Sequence, residues 1–300
     1  MTKRLISADA SEILKMSAAE LKQSIKASEG RVIVSENVAT RESFIGDITN
    51  AEIARAFGAD LILLNGVDVL HPELFGLGDA YAGSFVDRLH ELVGRPIGVN
   101  LEPVDDAAEM VEERLEISAG RQVNEQTMQE IERLGMDFVC FTGNPGTGVT
   151  NRAIVEAVRK AKGNFSGLII AGKMHGAGVD EAVADPAVIR DLIEAGADVI
   201  LTPSIGTVPG FDKEELKAAV AAAHAKGALV MTAIGTSQES SDPETIAYMA
   251  LQNKMCGVDM QHIGDAGYGG VAPVENIFAM SKAIRGQRHT VSMIARSINR

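Results

Sequence analysis

The chain has 300 residues, of which 46% are hydrophobic and 23% charged, a globular composition that excludes wholesale disorder. Its 28 Lys and Arg against 41 Asp and Glu leave a net charge of −13, which argues against nucleic acid or an anionic membrane surface as a partner. Two cysteines, Cys140 and Cys256, are too few for a disulfide scaffold. No apolar run reaches about 18 residues and the first residues lack an apolar signal core, so the expected location is cytoplasmic.

In chain order, a helical extension over 1–30, with its helix near 9–28, precedes a first strand at 31–35. Further strands are expected at 61–64, 96–100, 138–141, 167–171, 199–201, 228–232 and from Met260. A repeat sets this frame. Gly, one residue and Asp precede an apolar run at Gly58-Ala59-Asp60, Gly135-Met136-Asp137, Gly196-Ala197-Asp198 and Gly257-Val258-Asp259. The glycine ends a helix in the left-handed conformation, and the apolar run is a strand covered on both faces. Successive repeat aspartates are 77, 61 and 61 residues apart, room for two strand–helix units each. Asp185-Pro186 and Asp242-Pro243 read as helix starts. Eight alternating units predict a single-domain (β/α)8 TIM barrel with an extra N-terminal helix. An open doubly wound sheet is the alternative, disfavoured by the even eight-fold count and by the absence of Gly-x-Gly-x-x-Gly after the first strand. The tail over 287–300 carries three arginines and no acid. It either docks on a neighbouring subunit, making a homo-oligomer, or packs on its own barrel.

Active sites of such barrels lie at the C-terminal strand ends, where this sequence turns abruptly polar. Candidates there are Glu36, Asn65, Asn100, Glu102, Thr142, Asn144, Lys173, His175, Thr202 and His262. Registering the repeats places Leu63, Cys140, Leu201 and His262 on one level, with Asn65, Thr142, Pro203 and Gly264 two residues further on the same side, so that His262 faces inward if Asn65 and Thr142 do. The same parity pairs Asn100 with Glu102 and Lys173 with His175. Lys173 is the lone lysine at these ends, suited to hold an anion, to form a Schiff base with a carbonyl, or to make a structural ion pair. Glu36, Glu102, His175 and His262 are candidates for acid/base work, with a core histidine bonded to a backbone carbonyl as the alternative for His262. Glu102, His175 and Asp265 are candidates for a divalent metal such as Mg²⁺, although no fixed-spacing motif links them. Gly235-Thr236-Ser237 after strand seven, and the loop with Gly264, Asp265, Gly267 and Gly269 after strand eight, suit a phosphate group cradled by main-chain N–H groups beside a helix starting near Pro273. Plain turns are the competing explanation of these glycines.

Ser35-Glu36-Asn37, Asn100-Leu101-Glu102-Pro103, Gly143-Asn144-Pro145-Gly146-Thr147-Gly148 and His262-Ile263-Gly264-Asp265-Ala266-Gly267 together resemble a bacterial barrel family. Its members carry the loose labels phosphoenolpyruvate phosphonomutase-like or haloacid dehalogenase-like. The phosphonomutase metal segment Asp-x-Asp-x-Gly-x-Gly and the Lys-x-Cys-Gly loop are both absent, so no residue role transfers from that family. No Asp-x-Asp nucleophile motif follows a first strand. The loops after strands seven and eight are similar to those of ribulose-phosphate-type barrels, which implies a phosphate ligand. The expected activity is therefore lyase or isomerase chemistry next to a carbonyl in a small phosphorylated metabolite, such as a sugar phosphate. A Mg²⁺-dependent phosphonomutase-like enzyme, a phosphate-ester hydrolase and a non-catalytic sugar-phosphate-binding barrel are the alternatives.

Overall fold

A computed structural model describes residues 2–78 and 82–300. Eight parallel strands close on themselves in chain order, with the first paired to both the second and the eighth. They are β1 (Val32–Val38), β2 (Leu61–Asn65), β3 (Ile97–Leu101), β4 (Phe138–Phe141), β5 (Leu168–Gly172), β6 (Val199–Pro203), β7 (Leu229–Ile234) and β8 (Met260–Ile263). This is the expected (β/α)8 barrel, and each strand falls within a few residues of its expected place.

The helices that cover the barrel are α3 (Asn50–Phe57), α4 (Phe85–Val93), α5 (Glu125–Leu134), α6 (Asn151–Ala161), α7 (Pro186–Ala195), α8 (Lys213–Ala225), α9 (Pro243–Met255) and α10 (Val274–Ala295). Two short helices, α1 (Ala10–Ile13) and α2 (Ala18–Lys26), replace the single N-terminal helix expected from the sequence. Ser17 causes the division. Its hydroxyl accepts the Glu20 N–H, and the Glu20 carboxylate takes the Ser17 N–H, a capping box that starts a new helix. The residues expected to form a separate tail lie largely in α10, which passes Gly286 at φ 72° and continues to Ala295. Beyond it the chain packs on its own barrel. Arg296 pairs with Asp9, and the Ser11 N–H bonds the Arg300 carbonyl.

The repeated aspartates have a structural task. Asp60, Asp137, Asp198 and Asp259 each accept the N–H of a residue at the start of the preceding strand, namely Ile33, Ile97, Ile169 and Val230, at 2.9, 2.8, 3.2 and 2.9 Å. Each even strand is thus tied to the odd strand before it at the lower rim, where the ladder leaves amides unpaired. Inward positions carry Val34, Leu63, Phe138, Cys140, Ile170, Leu201 and Met231, which fill the barrel; Ile62, Val99, Val139, Ala171 and Ile200 face the helices. Gly98 is inward, and the Phe138 ring occupies the space a side chain would take there. The filled interior sends any ligand to the upper mouth.

Candidate active site

At that mouth lies a cleft of about 660 Å³. Glu36, Asn65, Asn100, Thr142, Asn144, His175, Gly235, Thr236, Ser237, Gly264 and Asp265 all line it, as the strand-end reading expected. Glu112, Met174 and Glu239 join them.

Asp265 is the chemically distinctive group. Burial raises its carboxyl to about 7, Glu36 and Glu239 push the same way, and the Asn65 amide and His262 oppose them. The Asn65 Nδ2 donates to its Oδ2 at 2.9 Å. Asn65 and Asn144 exchange both amide bonds at 3.0 Å, and Asn100 Nδ2 reaches Asn65 Oδ1 at 3.3 Å. The Asn100 Oδ1 and Thr142 Oγ1 have no partner among the described residues, although both side chains are buried. They are acceptors held ready for a ligand.

His175 follows β5 at a tight turn. Its Nδ1 accepts the Ala177 N–H at 3.0 Å, which leaves the proton of the neutral ring on Nε2. Burial lowers its pKa, and Lys173 adds to the effect against the pull of Glu36 and Glu102. A neutral imidazole with a free N–H donor therefore stands on the cleft wall.

Beneath the cleft floor His262 is fully buried, with its Nε2 3.0 Å from Glu36 Oε2, as its inward register required. The ring is not aimed for a hydrogen bond, and its Nδ1 has no partner among the described residues. Glu239, in the turn after β7, accepts the Ala266 N–H on Oε1 at 3.0 Å; its buried Oε2 has no partner among the described residues, and burial raises its pKa. Sequence reasoning did not single out Glu239, although it lies in the glycine loop after β7 that begins at Gly235, and it missed Glu112, which belongs to neither a strand end nor a glycine motif. Glu112 reaches the rim on the long segment between β3 and α5, which bridges to Val149 and Val179 in the next two loops.

Several expected site residues lie elsewhere. Lys173 faces outward with Ile169 and Ala171, not inward with His175, and its Nζ pairs with Glu181 at 2.8 Å. Glu181 also accepts the first N–H of α6, so Lys173 holds a helix start and neither faces a carbonyl nor an anion in the cleft. The error in parity arises at Gly172–Ala177, where the chain leaves the strand and turns back, so alternation fails. Glu102 is 1% exposed and engaged on both oxygens: Oε1 takes Arg121 Nη2 and Asn144 Nδ2, and Oε2 takes the Asn144 N–H. It positions Asn144 rather than meeting a ligand. Thr202 faces outward, away from the lining. Gly267 and Gly269 also lie off the lining. An added Cβ on Gly267 would sit 1.9 Å from the Val271 carbonyl, and the Gly269 carbonyl accepts Asn50 Nδ2, so these glycines shape a turn against the β1–α3 loop. Neither Pro273 nor Val274 reaches the cleft, which removes the α10 N-terminus from the expected phosphate cradle.

With Glu102 engaged by Arg121 and Asn144 and off the lining that holds His175 and Asp265, the expected metal trio does not converge. Among the described residues, no group of three His, Cys, Asp or Glu side chains could hold a metal ion. Among the described residues, lysine and arginine are also missing from the lining, which carries the four acids Glu36, Glu112, Glu239 and Asp265.

Over residues 6–300 the chain matches a family described as Domain of unknown function (DUF7916). The chain belongs to this family. No curated protein matches it. Among solved structures, a fructose-bisphosphate aldolase from Slackia heliotrinireducens DSM 20476 is 12% identical with a TM-score of 0.51, covering 100% of this chain and 91% of that one. The Amycolatopsis orientalis BexX/CysO complex is 12% identical with a TM-score of 0.50, covering 87% and 89%. A 2,3-dimethylmalate lyase of the PEP mutase/isocitrate lyase superfamily is 14% identical with a TM-score of 0.49, covering 85% and 81%. At such identities the likeness is one of fold, and the DUF7916 chain shares the barrel with the first two. The haloacid dehalogenase likeness is supported by none of these.

Proposed function

We propose that this barrel is a lyase or isomerase that moves a proton at a carbon next to a carbonyl in a small, hydroxylated metabolite. The observation that carries this reading is the Asp265 carboxyl, held near pKa 7 in a cleft that also presents a neutral imidazole donor. A group that titrates near neutral pH can both accept and return a proton, which is the property general acid/base catalysis needs. As carboxylate, Asp265 takes the proton from the carbon. The carbonyl oxygen gains charge as the carbon loses its proton, and His175 Nε2–H donates to it. Asn65 holds the Asp265 carboxylate, while Asn100 Oδ1 and Thr142 Oγ1 accept from substrate hydroxyls. Glu36 and Glu239 keep Asp265 basic. No step runs through Mg²⁺, because the candidate ligands do not gather.

A sugar phosphate is the narrower reading. It is favoured by the main-chain N–H groups of Gly235, Thr236 and Ser237, which have no hydrogen-bond partner among the described residues. Thr236 and Ser237 have φ of 56° and 71°, so successive amides form a concavity suited to an anion. The four lining acids work against it, and no side-chain cation offsets them.

Sugars, sugar phosphates, 2-oxo acids and phosphoenolpyruvate incubated in D2O, with proton NMR following loss of the signal next to the carbonyl, test both readings. Protein-dependent exchange that Asp265→Asn abolishes is expected. Exchange that survives in that variant would remove Asp265 from the chemistry.

A further inference from the structure

At the opposite end of the barrel from the cleft lies a group of arginines that the proposed chemistry does not use. Arg95, in the turn from α4 to β3, is 4% exposed. Its Nη2 donates to the Met293 sulfur at 3.0 Å, and its Nε has no partner among the described residues. Arg55, in the last turn of α3, donates Nη2 to the Arg296 carbonyl, and its Nε likewise has no partner among the described residues. Met293 and Arg296 are three residues apart, about one helical turn, so both guanidiniums converge on one face of the end of α10.

Asp60, whose charge acts on Arg95, and Asp9, which faces Arg296, already have partners. Asp60 accepts Arg285 Nη1 at 2.7 Å as well as the Ile33 N–H, and Asp9 pairs with Arg296. Arg95 therefore lies in the interior with a thioether as its acceptor and, among the described residues, without a counter-ion of its own, although a buried cation ordinarily has one. Burial lowers its pKa to about 10 against the pull of Asp60, and Arg55, Arg285 and Arg296 lower it further.

We propose that Arg95 and Arg55 form a binding site for a small oxyanion, a phosphate, sulfate or carboxylate group. The planar guanidinium fork matches the oxygens of such groups, and the unused Nε donors are the contacts on offer. The bound anion ties the end of α10 to α3 and to the α4–β3 turn. Its role is separate from the cleft, so the proposal stands or falls independently of the catalytic reading.

Thermal unfolding tests it, with sodium phosphate titrated in the millimolar range while sodium chloride holds the ionic strength constant. A parallel titration with sodium acetate separates a carboxylate ligand from a phosphate. The wild-type midpoint should rise saturably by about 2 °C or more. Arg95→Met, which replaces a buried charge by an apolar chain, should lose that rise, whereas Asp265→Asn should keep it. Should Arg95→Met fail to fold, Arg55→Gln, at a half-buried position, is read in its place. Absence of any saturable rise, a rise that the arginine variant retains in full, or one lost only in Asp265→Asn would overturn the site.

Discussion

Asp265 links catalysis and stability through one pKa. A carboxyl raised from 3.8 to about 7 binds a proton more tightly in the folded chain than in the unfolded one. Stability contributed by that proton is complete below the unfolded value and is lost as pH rises toward 7. Asp265→Asn removes the penalty, so at pH 8 the variant should be more stable than wild type by about 1–3 kcal/mol, and the gain should vanish near pH 4. Urea unfolding at the two pH values checks this. The same substitution should lower turnover by about 10²–10⁴-fold, the usual contribution of a general base. Lys173 gives the opposite expectation. Its ion pair with Glu181 lies outside the cleft, so Lys173→Met should retain turnover within a few-fold, and borohydride with substrate should trap no adduct.

At the scale of the elements, the repeated aspartates matter more than their motif suggests. The Asp259 Oδ2 accepts the Val230 N–H and lies 2.7 Å from His224 Nε2. Asp259→Ala leaves that amide buried and unpaired, which should cost about 1–3 kcal/mol in urea unfolding without moving the pH dependence of turnover. The strands were legible because fully buried strands read as apolar runs, and the Gly-x-Asp repeat supplied their register. On β2, β4 and β8 that register placed Asn65, Thr142 and His262 correctly. On β5 it failed, because Gly172 ends the strand and period-two alternation holds only within one. Glu239 and Glu112 were out of reach for a related reason: irregular segments have no period, and the approach of Glu112 to the mouth follows from tertiary bridges at Val104 and Met110. Gly267 and Gly269 look like anion-binding glycines in sequence, yet their close packing against Val271 and the β1–α3 loop shows a turn.

For the whole molecule, a net charge of −13 and a cleft lined by four acids set the terms of binding. Repulsion of an anion by such a surface weakens as salt screens it, with a Debye length of about 10 Å at 0.1 M. A phosphorylated ligand should therefore bind more tightly as salt rises from about 20 to 200 mM, whereas its unphosphorylated parent should be insensitive. Calorimetric titrations at the two salt concentrations distinguish them. Tighter binding of the phosphate at low salt would point to a cation contribution that the lining does not contain. The most direct measurement of the central claim needs no substrate. Carbon NMR of the side-chain carboxyls, with Asp265→Asn to assign the resonance, gives the titration of Asp265 itself. An apparent pKa near 7 is expected, and an ordinary value near 4 would contradict the acid/base role on which the proposed function rests.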